Sequence, residues 1–252
     1  MVLKLLRRAI EPAPPAARVP EGVRIYAIGD IHGRLDLLDA LLSRIEADDH
    51  ARRPAKSELI FLGDLIDRGP DSAGVVQRAM DIRASGRPVH FLMGNHEEVF
   101  LKALGGSLEA LRLFVKIGGR ATILSYGFSE AEYDALCYET LLTALMERVP
   151  LAHIAFLKSF EDRIAIGDYL FVHAGIRPGL PIEEQKGGDL RWIRTEFLDF
   201  RGDHGVVVVH GHTITDEVEE RPNRIGIDTG AFASGRLTAL GLDGAERWYL
   251  ST

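Results

Sequence analysis

The chain has 252 residues, 46% of them hydrophobic and 27% charged, which is typical of a globular protein able to bury a sizeable core. Lys and Arg number 30 against 37 Asp and Glu, and the resulting formal net charge of −7 argues against a surface that binds nucleic acid duplexes indiscriminately. No apolar run approaches the ~20 residues of a transmembrane helix, and the single cysteine, Cys137, excludes an internal disulfide. We therefore expect a cytoplasmic protein without a transmembrane segment.

The first 20 residues have the composition of a tail. Residues 1–10 are basic and amphipathic but lack the apolar region and cleavage site of a signal peptide, and residues 11–20 are rich in Pro and Ala. Contact with a membrane surface or a partner is an alternative for the first ten residues, but a frayed terminus explains them more simply. We expect a flexible tail over 1–20 and one domain over 21–252.

Three strand–loop–helix units follow the tail. The predicted strands cover 23–28, 58–62 and 88–93, and the predicted helices cover 35–45, 71–83 and 97–104. Units of this kind in series indicate a largely parallel sheet flanked by helices, in which ligands bind at the carboxyl ends of the strands.

The second half of the chain changes character twice. Residues from about 98 to 161 have a helical pattern, which we interpret as an insertion in the domain because strand-like segments resume beyond it. The later predicted strands cover 164–166, 169–172, 206–209, 225–227, 237–240 and 247–250. The expected fold is α/β, with two facing sheets and helices outside.

Five glycine-containing motifs carry the residues with metal-binding chemistry. They are Gly-Asp-Ile-His-Gly at 29–33, Gly-Asp-Leu-Ile-Asp-Arg-Gly at 63–69, Gly-Asn-His-Glu at 94–97, His-Ala-Gly at 173–175 and Gly-His-Thr at 211–213. The candidate ligands are Asp30 and His32 on one ion, Asp64 bridging two ions, and Asn95, His173 and His212 on the second ion. A single Asp or His of this kind is more often a turn residue or a packed side chain, but six beside glycines at strand ends favour metal binding.

A site of this composition suits phosphoryl chemistry. Two ions about 3.5–4 Å apart would hold a water between them and lower its pKa, and the resulting hydroxide would attack a phosphorus atom in line. Arg68 and Arg194 are candidate clamps for the phosphate oxygens, with a surface salt bridge as the alternative for each. His96, oriented by Asp67, is a candidate general acid for the leaving group, although such pairs also occur as structural elements.

As an ordered set, these motifs resemble the phosphoprotein phosphatase (PPP) family of calcineurin-like metallophosphoesterases, most closely its bacterial and phage branch, which includes bacteriophage lambda phosphatase. The similarity runs from about residue 23 to the end and includes Trp-Ile-Arg at 192–194 and Ile-Asp-Thr-Gly-Ala at 227–231. The resemblance implies the same metal ligands, the arginine clamps and the His96–Asp67 acid pair. It also implies a β-sandwich of two mixed sheets flanked by helices, and two divalent ions, with Mn²⁺ expected and Fe or Zn as alternatives.

The resemblance leaves the substrate open. Arg34 and Met93 stand where eukaryotic members usually carry Gln and Arg, which removes any ground for assigning a eukaryotic type of protein substrate. The leading hypothesis is a phosphomonoester hydrolase acting on phosphoserine or phosphothreonine in proteins, and also on phosphotyrosine. The alternatives are a symmetrical bis(5'-nucleosyl)-tetraphosphatase, which cleaves diadenosine tetraphosphate, and a non-catalytic module that binds metal and phosphate. The sequence does not indicate an oligomeric state.

Overall fold

A computed structural model describes residues 16–252, which form two five-stranded mixed sheets with helices on the outside. The first sheet consists of β1 (Val23–Ile28), β2 (Lys56–Phe61), β3 (Val89–Phe91), β9 (Thr238–Asp243) and β10 (Glu246–Ser251). Its strand order is β10-β9-β1-β2-β3, in which β1, β2 and β3 run parallel while β9 is antiparallel to both of its neighbours. The expected sheet of strand–loop–helix units is therefore confirmed and is extended by the C-terminal hairpin.

The second sheet is built from the later strands of the chain. It consists of β4 (Arg163–Ile166), β5 (Tyr169–Val172), β6 (Val207–His210), β7 (Glu219–Arg221) and β8 (Arg224–Gly226). The order is β4-β5-β6-β8-β7, with β5, β6 and β8 parallel and an antiparallel strand at each edge. The predicted fold class, two mixed sheets flanked by helices, is confirmed.

Helices cover the outer faces of both sheets. Against the first sheet lie α1 (Leu35–Ala51), α2 (Ser72–Ala84), α3 (Asn95–Leu104), α4 (Leu108–Phe114), α5 (Arg120–Ser125), α6 (Glu130–Ala135), α7 (Tyr138–Arg148) and α8 (Leu151–Lys158), with a π-helical turn at Val115–Gly119. The remaining helices are α9 (Gly187–Trp192), α10 (Thr195–Leu198) and α11 (Ala231–Ser234), with a 3₁₀ turn at Ile182–Glu184. Within residues 16–252 no single helix is long and apolar enough to cross a membrane, and α7 and α8 reach that threshold only when counted together across a bend of 91°.

The alternation of side chains along β1 divides the core into layers. Ile25 and Ala27 point toward the second sheet, where Phe171 and Val209 belong to the same buried cluster. Tyr26 and Ile28 point the other way, into the layer between the first sheet and the helices. A third layer packs the outer face of the second sheet against α9 and α10. Both faces of the central strands are therefore buried, which explains why their sequences are continuous apolar runs.

Two boundaries differ from those that the sequence predicts. The helix predicted over 35–45 continues to Ala51, because its polar last turns are held by partners on β1: Arg24 Nη1 lies 2.8 Å from Asp49 Oδ1, and Tyr26 OH donates to Asp48 at 2.7 Å. Residues 16–20, assigned to the flexible tail, pack on the domain, where Val19 is buried and its N–H donates to the carbonyl of Gly244 at 3.0 Å. The rest of the predicted tail lies outside the described residues.

Candidate metal centre and active site

The six predicted metal ligands are brought together at one edge of the sandwich. Strands β1, β2 and β3 of the first sheet and β5 and β6 of the second sheet end there, and the segment after each strand carries one or two ligands. The ligands, each at most 7% exposed, are Asp30, His32, Asp64, Asn95, His173 and His212. Because parallel strands end at a common edge, residues far apart in sequence become neighbours, and the His212 N–H donates to Asp30 Oδ2 at 3.0 Å.

Left-handed backbone is concentrated in the same segments. Among residues 16–252, the non-glycine residues with positive φ are His32 (49°), Asp64 (49°), Asp67 (74°), Arg68 (69°) and His212 (62°). Such conformations cost on the order of 1–3 kcal/mol each and persist only where the surrounding structure determines them. Every one of these residues belongs to a predicted functional motif, so the strained backbone marks the site independently of the side-chain chemistry.

The Asp64 carboxylate is shared by two groups of potential metal ligands. His32, Asp64 and His96 form one group, and Asp64, His173 and His212 form the other, with the ligand atoms of each group within 4.8 Å of one another. Asp64 Oδ2 lies 3.8 Å from Nε2 of His32, 3.8 Å from Nε2 of His96 and 3.4 Å from Nε2 of His173. Asp64 is thus the one residue common to both groups, and its bridging role stays a prediction.

Backbone carbonyls orient the imidazoles toward the centre. Nδ1 of His32 lies 2.8 Å from the carbonyl oxygen of Ile66, and Nδ1 of His173 lies 2.9 Å from that of Leu62. Each Nδ1 therefore donates its proton to a carbonyl, which leaves Nε2 as the ring nitrogen that faces Asp64 and that would bind a cation in its deprotonated form. Nε2 of His212 is buried without a hydrogen-bond partner among the described residues. An unpartnered buried imidazole nitrogen aimed at a carboxylate cluster is what a cation site requires, so these residues fit a pair of divalent ions.

Asp30 and Asn95 lie beside these groups. The Asp30 carboxylate is turned toward the backbone of β6 and accepts the His212 N–H with both oxygens, so its position depends on the close approach of Gly211. Asn95 is the first residue of α3, and its Oδ1 lies 3.0 Å from Nε2 of His173. Asn95 and His173, predicted on the same ion, are thus in contact, while Asp30 is not a member of either group as its side chain stands.

The buried charges perturb one another strongly. Burial and the nearby Asp228 hold the pKa of Asp30 well above its usual range. Burial also favours the neutral form of Asp64, but His173 and His96 outweigh it and keep the pKa of Asp64 well below its usual range. Burial opposes protonation of His173, yet the charges of Asp64 and Asp30 raise the pKa of His173 to about 10. The carboxylates thus favour a proton on His173, which a divalent cation bound to its Nε2 would displace.

His96 and Asp67 form a buried pair at the margin of the metal groups. Nδ1 of His96 lies 2.6 Å from Asp67 Oδ2, and Nε2 of His96 lies 3.2 Å from Nη2 of Arg68. Burial lowers the pKa of His96, but the charges of Asp64 and Asp67 outweigh this effect and raise it. Because a guanidinium can only donate, Nε2 accepts from Arg68 while the two are in contact, and the raised pKa of His96 favours a proton on Nε2 once they separate, as a leaving-group acid requires.

The two candidate clamps are free of carboxylate partners. Within residues 16–252, neither Arg68 nor Arg194 makes an ion pair. The Arg68 guanidinium stacks 4.7 Å above the Phe232 ring, which holds it at the rim of the site. Arg194 is exposed at the start of α10, and its charge acts together with burial and His173 to lower the pKa of His212 to about 2. Both guanidinium groups are therefore available to an anion beside the metal ligands.

Glu97 has a role in positioning backbone that was not predicted from the sequence. Its buried carboxylate accepts hydrogen bonds from the N–H groups of Asp64 at 2.9 Å, Leu65 at 2.8 Å and Gly94 at 3.1 Å. It thereby joins the loop after β2 to the start of α3 and fixes the left-handed Asp64. The signal was present, because Glu97 closes the Gly-Asn-His-Glu motif, but its contacts are to backbone and cannot be read from residue type.

The model of the calcineurin-like phosphoesterase family matches residues 23–233, and the chain therefore belongs to this family. It is a hydrolase of the metallophosphoesterase class, whose members use a dinuclear metal centre. Its curated relatives include bis(5'-nucleosyl)-tetraphosphatase PrpE [asymmetrical] of Anoxybacillus flavithermus, which is 29% identical over 84% of this chain and 88% of that protein. The protein of the same name from Bacillus thuringiensis is 27% identical over the same shares.

Solved structures share the fold across nearly the whole chain. A candidate diadenosine tetraphosphatase superposes with a TM-score of 0.64 and 22% identity, covering 94% of this chain and 98% of that one. The cold-active protein-tyrosine phosphatase of Shewanella sp. superposes with a TM-score of 0.52 and 21% identity, covering 92% and 83%. At these identities the likeness concerns the fold, and the two activities named lie on one scaffold.

Metal binding should stabilise the protein measurably. After removal of bound metal with a chelator, addition of Mn²⁺ at a hundred times its dissociation constant should raise the free energy of unfolding by about 2.7 kcal/mol. His212→Ala should lose most of this gain, because it removes a member of the group formed with Asp64 and His173. His204→Ala, which removes an imidazole outside both groups, should keep it. Thermal unfolding with and without Mn²⁺ measures the difference, and an equal gain for His212→Ala would remove that residue from the ligand set.

Glu97→Gln should weaken the metal site without removing a ligand. An amide group cannot accept all of the N–H donors that the carboxylate accepts, and a buried unsatisfied donor costs about 1–3 kcal/mol. The loosened Asp64 loop should reduce Mn²⁺ affinity by about 10–100-fold, as is usual for residues that orient metal ligands. Glu98→Gln is the matched control, since its contacts are with Lys102 and Trp192. Calorimetric titration of both variants compares them, and equal affinities would contradict the positioning role.

Proposed function

We propose that this metallophosphoesterase hydrolyses phosphomonoesters of alcohols, with phosphoserine and phosphothreonine in proteins as the leading substrates and phosphotyrosine within its range. The observation that carries the proposal is the buried His96–Asp67 pair with its 2.6 Å contact, which lies beside Arg68 and the metal ligands. The leaving group of a phosphoserine is a strongly basic alkoxide, so its departure gains most from a positioned acid.

The proposed ligands divide between two ions. Asp30, His32 and Asp64 would hold the first ion, and Asp64, Asn95, His173 and His212 the second. Two bound divalent ions, for which we propose Mn²⁺ with Fe or Zn as alternatives, would supply Lewis acidity and lower the pKa of an attacking water. Asp64 would carry the negative charge shared between them, and the carbonyls that orient His32 and His173 would keep these ligands from turning away.

Arg68 and Arg194 would bind the phosphate oxygens. Neither pairs with a carboxylate among residues 16–252, and a guanidinium presents paired N–H donors that match two oxygens of a phosphoryl group. Negative charge on these oxygens is spread by the reaction, so both arginines would act on the transition state as well as on the bound substrate. Phe232 holds the Arg68 guanidinium from one face, which limits its orientations before substrate arrives.

His96 would complete the reaction by proton transfer. As the bond between phosphorus and the leaving oxygen breaks, the proton on Nε2 would pass to that oxygen, and Asp67 would stabilise the charged imidazole through Nδ1. Nη2 of Arg68 donates to Nε2 across 3.2 Å, so substrate binding to Arg68 would first separate the two and let Nε2 take up from solvent the proton that it then passes to the leaving oxygen.

Asymmetrical hydrolysis of dinucleoside tetraphosphates is the second candidate. It is favoured by the PrpE relatives, which are named for this activity and align with 84% of the chain. Their name specifies asymmetrical cleavage, which gives a nucleoside monophosphate and a nucleoside triphosphate. The alternative predicted from the sequence was the symmetrical reaction. The leaving group is then a phosphate, which needs little protonation, so the His96–Asp67 pair favours this candidate less.

A binding module without turnover would have no use for that acid pair, and we place it third. We also propose a cytoplasmic location, which rests on the single cysteine, and membership of the bacterial and phage branch of the PPP family, which rests on the ordered motifs.

A direct comparison of substrates separates the candidates. Metal-stripped protein reloaded with Mn²⁺ should release phosphate from a phosphoserine peptide with a higher kcat/KM than it cleaves diadenosine tetraphosphate. The nucleotide products identify the second activity, because AMP with ATP marks asymmetrical cleavage and two ADP molecules mark symmetrical cleavage. A preference for the dinucleotide would overturn the leading proposal, and no turnover of either compound by fully loaded protein would support the binding module.

Replacement of the acid should affect poor leaving groups most. We expect His96→Ala to lose about 10²–10⁴-fold in kcat on a phosphoserine peptide, the usual contribution of general acid catalysis. The loss on p-nitrophenyl phosphate should be much smaller, because its leaving group hardly needs a proton. Initial rates on both substrates, with metal content measured alongside, test the assignment. Equal losses on both substrates, with the metal retained, would show that His96 does not act as the acid.

A further inference from the structure

We infer that Thr122, on a helix of the insertion, is a positioning residue that holds Asp67 in the orientation from which it pairs with His96. The inference rests on the proposed function, because it concerns the acid step of that reaction. The helical segment between β3 and β4 then has a role in the site, because it brings a hydroxyl into the buried base of the site.

The contacts of Thr122 converge on Asp67. Its Oγ1 donates to Asp67 Oδ1 at 2.6 Å and also lies 2.9 Å from the Asp67 backbone nitrogen, whose N–H it accepts. The other carboxylate oxygen, Oδ2, is the one that contacts His96 Nδ1. Thr122 and Asp67 are fully buried, so water does not compete for these bonds. One oxygen of the Asp67 carboxylate thus accepts the Thr122 hydroxyl, which fixes the orientation of the carboxylate, and the other oxygen pairs with the imidazole of His96.

Ser72 completes the arrangement from the other side. Its Oγ lies 2.9 Å from Thr122 Oγ1 and 2.9 Å from the Asp67 nitrogen. Since Thr122 has a single hydroxyl proton, donation to the charged carboxylate is the stronger of its two options, and Ser72 then donates to Thr122. Asp67 has a φ of 74°, and the two hydroxyls bind the backbone N–H that this left-handed conformation turns toward them.

The helix that carries Thr122 is fixed next to Arg68 as well. The N–H of Arg68 donates to the carbonyl of Gly118 at 3.1 Å, within the π-helical turn that leads into α5. Gly118 has a φ of 122°, and a Cβ at this position would lie 2.7 Å from Arg68 Cγ. One short segment thus contacts two consecutive residues of the loop after β2: the backbone of Gly118 binds Arg68, and the side chain of Thr122 binds Asp67.

The test compares Thr122→Val with wild type on two leaving groups. Valine keeps the shape of threonine but leaves Asp67 Oδ1 without its donor, so we expect kcat on a phosphoserine peptide to fall by about 10–100-fold. KM, Mn²⁺ affinity and the rate on p-nitrophenyl phosphate should change little, and Thr122→Ser should restore most of the peptide activity. A residue that only stabilised the fold would lower both rates together and would leave their ratio unchanged.

Ser125→Ala is the matched control. Ser125 lies on the same helix, where it accepts the Ala73 N–H at 3.1 Å and donates to the backbone carbonyl of Thr122 at 2.7 Å, but it touches neither Asp67 nor the Thr122 hydroxyl. It should leave the ratio of the two rates at the wild-type value. If Thr122→Val does not fold, Thr122→Ala and Thr122→Ser with their melting temperatures take its place, and the inference requires the same change of ratio in Thr122→Ala.

A double-mutant cycle separates failure of this inference from failure of the proposed function. In a His96→Ala background, Thr122→Val should cause no further loss on the peptide, because the group it positions is gone. Additive losses, or an unchanged ratio of rates in the single variant, would overturn the inference while the enzyme remained an active phosphatase. Absence of phosphate release by wild-type protein loaded with Mn²⁺ would instead overturn the proposed function itself.

Discussion

Five carboxylates lie buried at the edge where the two sheets meet, and the fold has to supply positive charge or hydrogen-bond donors for each of them. They are Asp30, Asp64, Asp67, Glu97 and Asp228, none more than 2% exposed. A buried carboxylate without such partners costs far more than the net stability of a protein. Backbone N–H groups serve Glu97, Asp30 and Asp228, and a hydroxyl and an imidazole serve Asp67. Asp64 faces the ring nitrogens of three imidazoles, which partly offset its charge and could bind a cation together with it.

The register of β1 and β2 brings these groups to the same level. Ile28 pairs with Phe61 at the end of the ladder, and the loops beyond remain joined, since the N–H groups of Ile31 and His32 both donate to the carbonyl of Asp64 at 3.1 and 2.9 Å. The left-handed residues let the backbone turn sharply after each strand while their side chains stay buried in the site. The precision of the site thus depends on backbone bonds between loops rather than on the side chains that carry the chemistry.

The sequence could predict what depends on residue type and spacing along the chain. Apolar runs that end at glycine-containing motifs predicted the two sheets, and the six candidate ligands in those motifs lie near one another at one edge of the sheets. It could not predict groups whose role arises from contacts over long separations: the polar end of α1 is held by Arg24, and Thr122 reaches Asp67 across 55 residues. Glu97 was visible in its motif, but residue type alone does not distinguish a carboxylate that accepts backbone N–H groups from one that binds metal.

The helical segment between β3 and β4 therefore differs in kind from the strand ends. The strand ends provide candidate ligands whose chemistry follows from residue type. The strand order of the two sheets brings these residues together. The π-helical turn and α5 act through contact, because a carbonyl at Gly118 and a hydroxyl at Thr122 hold Arg68 and Asp67 from outside the sheets. Under the proposed function, a change in how this segment packs would alter proton transfer by His96 while leaving the candidate metal ligands in place.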